Sequence, residues 1–136
     1  MTTDIPGFAR RREGREEALG LLYQAELLGT DVETLVAERG LATDDYSVLV
    51  ARGVSVSVAE IDELLGRHLN NWRVDRMPII DRALARIAAW ELLSRPDIPT
   101  GVVLSEAVEL AGQYCGEQSP RFLNGVLGEM AREVRD

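Results

Sequence analysis

Lysine is absent from this sequence, and all 15 basic residues among its 136 are arginine. Cysteine occurs once, at Cys115, and histidine once, at His68. A lone cysteine excludes an internal disulfide framework, and the pair excludes a multi-cysteine or two-histidine metal site within one chain. No apolar run approaches the roughly 18 residues that cross a bilayer. Met1 to Arg15 has neither the apolar core nor the small-residue cleavage site of a secretory signal, so the expected setting is cytoplasmic. No glycine-rich loop of the P-loop or dinucleotide type occurs. Cys115 stands between Tyr114 and Gly116 with no motif tying it to His68, so nothing supports a nucleophile. Glu106 and Glu109 lie three apart and can share a helix face, but paired carboxylates alone read as packing or ion-pairing residues. The inventory is that of a non-enzyme without cofactor or metal.

Hydrophobic residues make up 46% of the chain, which supports a folded globule. The length fits one domain over 1–136, with 1–9 as a flexible N-terminal tail. The net charge is −8, yet the charges are segregated. Residues 10–15 read Arg-Arg-Arg-Glu-Gly-Arg. Residues 16–66 carry eleven acids against Arg39 and Arg52. From 67 to 86 the sign reverses, with Arg67, Arg73, Arg76, Arg82 and Arg86 against Asp75 and Asp81. Binding responds to the local field, so two arginine-rich segments in an acidic body keep a nucleic-acid partner open. The plainer alternative is a solvated tail with ordinary surface ion pairs.

Periodicity predicts an all-α bundle of about seven helices. Ala18, Leu19, Leu22, Ala25 and Leu28 recur at helical spacing, widened by Leu21 and Tyr23, until Gly29. Thr30 or Asp31 can cap a short helix that ends before Gly40, and Thr43-Asp44-Asp45 offers a further start. Val54-Ser55-Val56-Ser57-Val58 alternates like a strand. A capping box at Ser57 and Glu60, with Ile61, Leu64, Leu65 and Leu69 beyond it, favours a kink between two helices. Asn70-Asn71-Trp72 reads as a turn, and Pro78 suits the first turn of a helix that stops before Arg95-Pro96. Val103, Ala107, Leu110 and Tyr114 mark the next helix. Ser119-Pro120 then opens a last one along Leu123, Val126, Leu127, Met130 and Val134. Glu91 falls on the apolar stripe of Leu84, Ile87 and Ala88, so it needs a partner: Arg86, Arg95 or a backbone amide.

Four stretches in order resemble the NusB family of bacterial transcription antitermination factors. They are Arg11-Arg12-Glu13-Gly14-Arg15-Glu16 with Leu22-Tyr23-Gln24, then Asn71-Trp72 leading into Ile80-Asp81-Arg82-Ala83-Leu84. Trp90-Glu91-Leu92-Leu93 through Asp97-Ile98-Pro99 to Glu106-Ala107-Val108-Glu109-Leu110-Ala111 follows, and last Phe122-Leu123-Asn124-Gly125-Val126-Leu127.

The resemblance implies two packed helical subdomains and no catalysis. It implies binding of boxA RNA from ribosomal RNA leader transcripts together with NusE, a ribosomal protein, in an RNA polymerase antitermination complex. Arg10, Arg11, Arg12, Arg15, Arg121 and Phe122 match its RNA surface. An arginine chelates phosphate or stacks on a base, and a helix N-terminus favours phosphate. Phe122 equally well begins the core stripe of its helix. Arg73, Arg76, Asp81, Arg82 and Arg86 match the NusE surface, with Arg86 alternatively internal against Glu91. Asn124-Gly125 reads as a packing pair, the glycine permitting close helix approach. The competing class is a helical dimerisation or protein-interaction module without RNA binding. In a homodimer, Leu27, Leu28, Leu35 and Val36 would supply the excess apolar surface.

Overall fold

The computed structural model describes residues 8–70 and 73–135, with side chains from residue 11 onward. Residues 1–7 of the expected tail, and Asn71 and Trp72 of the expected turn, lie outside the described residues. Seven α-helices follow in order: α1 Phe8–Leu28, α2 Val32–Arg39, α3 Tyr46–Val56, α4 Val58–His68, α5 Ile79–Ser94, α6 Thr100–Tyr114 and α7 Ser119–Arg135. A single 3-10 turn, Val74–Arg76, precedes α5, and no strand occurs among the described residues. Helix α1 begins at Phe8, so Phe8 and Ala9 are helical rather than tail.

The helix boundaries have local causes. Asp31 is extended, and its carboxylate accepts the Thr34 N–H at 2.7 Å, which starts α2. Gly40, at φ 61°, ends α2, its N–H bonding the Ala37 carbonyl while Leu41 N–H bonds Val36. The Val54–Val58 stretch is helical on both sides of a break at Ser57. The expected capping box does not form there. Ser57 has φ −102° and ψ 14°, its N–H still bonds Gly53, and its carbonyl accepts Ile61 N–H. Backbone bonding thus continues through the kink, and the extended geometry that a serine cap needs is not adopted. Pro78 sits just before α5 rather than inside its first turn. Ser119 likewise turns its hydroxyl to Asp81 of α5, at 2.5 Å.

Helices α1, α2 and α3 form one packed group and α4, α6 and α7 another, with α5 touching both. That position explains α5's composition. Eleven of its residues are buried, on all sides of the helix, and Ala83, Ala85, Ala88 and Ala89 leave room for neighbours on several faces. The carbonyls of its last turn lack the usual helical partners, except that of Glu91, which accepts the Arg95 N–H at 2.9 Å. Arg135, at the end of α7, supplies one: its guanidinium donates to the carbonyls of Glu91, Leu92, Arg95 and Ile98 at 2.6–3.1 Å. A cation there also offsets the negative end of the helix dipole.

Two glycines are required by close approach. A Cβ at Gly14 would lie 2.9 Å from Tyr46 Cβ, where α1 crosses α3. A Cβ at Gly53 would overlap the Trp90 indole, where α3 meets α5. Gly125, expected to permit such an approach, has open space around it, and Asn124 beside it is exposed. The pair faces away from the packed side of α7. Leu35 and Val36 are core residues, whereas Leu27 and Leu28 are 59% and 65% exposed, beyond the last buried turn of α1 at Ala25.

Gly53→Ala is therefore expected to cost about 1–3 kcal/mol by overpacking against Trp90. Gly112→Ala, on the exposed side of α6 with open space around it, should instead raise stability by about 0.5–1 kcal/mol through helix propensity. Urea unfolding of the two variants checks the contrast.

Candidate nucleic-acid interface

The N-terminal half of α1 has few large apolar residues to bury, and it buries charge instead. Arg15 is 2% exposed and Glu91 of α5 is 1% exposed. Arg15 Nε donates to both Glu91 oxygens, at 3.0 and 2.8 Å. Arg15 Nη1 reaches Glu106 of α6 at 3.5 Å, and the Tyr46 hydroxyl of α3 donates to Glu91 at 2.5 Å. One carboxylate thus gathers groups from α1 and α3 onto α5. Burial and the Glu91 charge push the Tyr46 hydroxyl pKa well above its usual value, so it stays a donor. The guanidinium carbons of Arg11, Arg15 and Arg95 stand 5.9, 5.9 and 5.3 Å from the Tyr46 ring centre, within cation–π reach.

This geometry corrects two expectations. Glu91 pairs with neither Arg86 nor Arg95: Arg86 chelates Asp62 of α4 at 2.9 and 2.8 Å, and Arg95 holds Asp97 at 3.1 and 3.2 Å. Arg15, expected to contact RNA, points inward because Glu91 and Glu106 hold it among the helices.

Arg11 and Arg12 stay at the surface, each about 40% open at the side chain and each engaged by carboxylates. Arg11 donates to Asp97 in the connector before α6, at 2.8 Å. Arg12 chelates Glu106 at 2.9 and 2.6 Å and adds Glu109 at 3.0 Å. Arg10 belongs to α1, but its side chain lies outside the described ones. The Arg95 and Arg11 guanidiniums hold the Asp97 carboxyl at about 2, below its ordinary 3.8.

The second group of candidates lies elsewhere. Arg121 is exposed in the first turn of α7. Phe122 is half-buried, packs against the core and lines two clefts. One, of about 220 Å³, is walled by Met77, Pro78, Asp81, Gln118 and Ser119. The other, of about 390 Å³, is walled by His68, Asn70, Arg121, Gly125, Val126 and Glu129. Both readings of Phe122 hold at once, since the same ring borders the core and the clefts. Arg15 meets α5 at Glu91 and Ser119 meets it at Asp81, ten helical residues apart, on the order of 15 Å. The structure does not bring the two arginine groups into one cluster.

The expected partner surface divides. Arg73 and Arg76 are exposed, Arg73 donating to Asp75 at 3.0 Å. Arg73 and the half-buried Arg86 line a cleft of about 590 Å³ with Glu26, Asp62, Asp75 and Arg82. Asp81 and Arg82 are buried, contrary to expectation. Asp81 accepts from Ser119. Arg82 donates to the Met77 carbonyl at 2.9 Å and pairs with Glu26 of α1, tying the turn before α5 to both helices. Burial pushes the Cys115 thiol up to about 12, assisted by Asp81, so it is protonated at neutral pH. Among the described residues no group of His, Cys, Asp and Glu could hold a metal ion, and no helix is long and apolar enough to cross a membrane.

Sequence reasoning missed Tyr46, Asp97 and Arg135. Tyr46 had a usable signal, a tyrosine beside the expected cap at Asp45, but its partner is 45 residues away.

Comparison with known proteins follows the same lines. A family model described as the NusB family matches residues 12–132. NusB from Thermotoga maritima is 31% identical with a TM-score of 0.84, over 100% of this chain and 96% of that one. NusB solved with NusE in complex with double-stranded RNA is 25% identical with a TM-score of 0.74, over 93% and 98%. NusB from Aquifex aeolicus is 26% identical with a TM-score of 0.72, over 90% and 88%.

Removing one partner of the buried pair strands the other charge. Arg15→Ala is expected to destabilise by about 3–5 kcal/mol, whereas replacing Arg15 and Glu91 together by leucine should recover much of that loss. Denaturant unfolding of the single and double variants checks this. Asp97 titrates lower when folded than when unfolded, so its clamp contributes fully above pH 3.8 and is lost as pH falls towards about 2. Asp97→Asn should flatten that part of the acid-unfolding profile, measured alongside the carboxyl titration by NMR.

Proposed function

The chain belongs to the NusB family, and we propose that it works as a transcription antitermination factor. In this reading it binds boxA RNA of ribosomal RNA leader transcripts together with NusE, within an RNA polymerase antitermination complex that keeps ribosomal RNA synthesis processive. The observation that carries the proposal is the near full-length similarity to a NusB solved with NusE and double-stranded RNA.

The chemistry of the surface supports it. Arg11 and Arg12 present guanidiniums at one end of the bundle, joined in this reading by Arg10, and these suit phosphate oxygens. Arg121 and Phe122 stand at the N-terminus of α7, where amides and helix dipole favour phosphate and the ring edges two clefts. Single-stranded RNA spanning the two groups would give its backbone to the arginines and a splayed base to Phe122. For NusE, the reading keeps Arg73 and Arg86 on the mixed-charge cleft with Arg82 lining it from inside, Arg76 exposed on the turn before α5, and Asp81 held inward by Ser119. A second reading, a dimerisation or protein-interaction module without RNA binding, draws on the exposed Leu27 and Leu28.

Fluorescence anisotropy with boxA RNA, with and without NusE, across a salt series, separates the two. The proposal expects binding that tightens with NusE and weakens with salt. Phe122→Ala should cost about 1–3 kcal/mol of RNA binding if a base stacks there. Arg11→Ala with Arg12→Ala should weaken binding at least about tenfold with unchanged helicity. A folded protein that binds no RNA in either condition would leave only the second reading.

A further inference from the structure

Arg11 and Arg12, at the start of α1, are already engaged by carboxylates. Asp97 Oδ2 accepts Arg11 at 2.8 Å and Arg95 at 3.2 Å, while Oδ1 accepts Arg95 at 3.1 Å. One carboxylate therefore bridges two guanidiniums, as a phosphate group would. It is held by the connector Pro96-Asp97-Ile98-Pro99, whose prolines restrict the backbone and lower the entropy of presenting it. Arg12 is engaged by two carboxylates of different character. Glu106 is buried and shared with Arg15, so it is part of the fold. Glu109 is about half exposed and makes a single 3.0 Å contact, to the same Nη2 that bonds Glu106.

We propose that Asp97 and Glu109 are tethered competitors of the RNA backbone, held in the places that phosphates would take on Arg11 and Arg12. The inference rests on the RNA-binding reading above and deepens it. Each is half-exposed, so displacing it is cheap, unlike displacing Glu91 from Arg15. An isolated phosphate gains little by replacing one anion with another. A ligand that supplies several phosphates and a stacked base gains enough to displace both carboxylates. Asp97 and Glu109 thus discriminate against polyanions in general at some cost in affinity, and Glu106 remains behind to keep Arg12 aimed.

The test is a salt series of RNA binding by anisotropy for wild type, Asp97→Asn, Glu109→Gln, the pair of these, and Arg11→Ala with Arg12→Ala. Boxa RNA and an unrelated single strand of equal length serve as probes. Each neutralised carboxylate should tighten binding about two- to fivefold. It should steepen the log–log salt slope by up to about 0.7, because RNA then releases counterions without displacing a protein anion. The unrelated strand should gain more than boxA, and the gain should vanish when Arg11 and Arg12 are alanine. Unchanged or weaker binding by Asp97→Asn and Glu109→Gln, while the arginine variant loses affinity, overturns this inference and leaves the RNA reading standing. Wild-type protein that binds no RNA, or an arginine variant that binds as wild type does, overturns both. Glu109→Gln lies on an exposed helix face and decides the matter if Asp97→Asn disturbs the connector.

Discussion

Arg15 and Glu91 face each other in the interior of the bundle, and groups from four helices converge on the pair, with the buried Arg15 Nη2 left without a hydrogen-bond partner. A buried guanidinium and carboxylate are costly to desolvate, and only good geometry with further hydrogen bonds repays that cost. Here Nε lies against both carboxylate oxygens, Tyr46 fills another acceptor position on Glu91, and Glu106 answers the far side of the arginine. Those four residues come from α1, α5, α3 and α6. Gly14 belongs to the same constraint, because a side chain there would push Tyr46 away. The network ties four helices to one another through directional contacts, while the desolvation of its charges offsets much of what the contacts contribute to stability.

The same network explains how an acidic protein can offer a cationic surface. With no lysine, every cation carries a planar fork that aligns with carboxylates. The fold uses that property internally first. Arg135 closes the end of α5, Arg82 fixes the turn before it, Arg86 ties it to α4, and Arg15 anchors its C-terminal half. Arg11 and Arg12 are the outer layer of this arrangement, held by Asp97, Glu106 and Glu109. In the proposed RNA-binding reading, that surface is preorganised and partly neutralised, which favours selectivity over raw affinity. The start of α7 has a different character. Arg121 is exposed, and Phe122 beside it borders two clefts, so apolar contact and stacking would weigh more there.

Much of the fold was legible in the sequence because helix periodicity and capping are local. Asp31 and Gly40 bracket α2, and the stripe from Leu123 to Met130 is the buried face of α7. The kink near Ser57 was also visible. Its mechanism was misread, because whether backbone bonding continues through a break depends on how the two helices pack. The long-range partners were not legible. Glu91 needed a partner, and proximity in sequence suggested Arg86, Arg95 or a backbone amide, yet its partner Arg15 is 76 residues away on α1. Gly125 sits in a motif that looked like a packing site, while Gly53, with no motif, meets Trp90.

The sequence by itself determined the helical class, the approximate helix limits and the family, because each rests on side chains within a few turns of one another or on residues in fixed order. It also indicated that Glu91 would be partly buried and in need of a partner, because it falls on the apolar stripe of its helix. Only the tertiary structure decided which arginines face inward. Arg11, Arg12 and Arg15 are equal in chemistry and adjacent in sequence. Arg11 and Arg12 stand one turn before Arg15 on nearly the same face of α1, so position along the helix separates them: Arg15 lies between the helices against Glu91, while Arg11 and Arg12, nearer the helix start, stay partly open. Which turn of α1 is covered depends on where α3, α5 and α6 lie, and that is a property of the packed molecule.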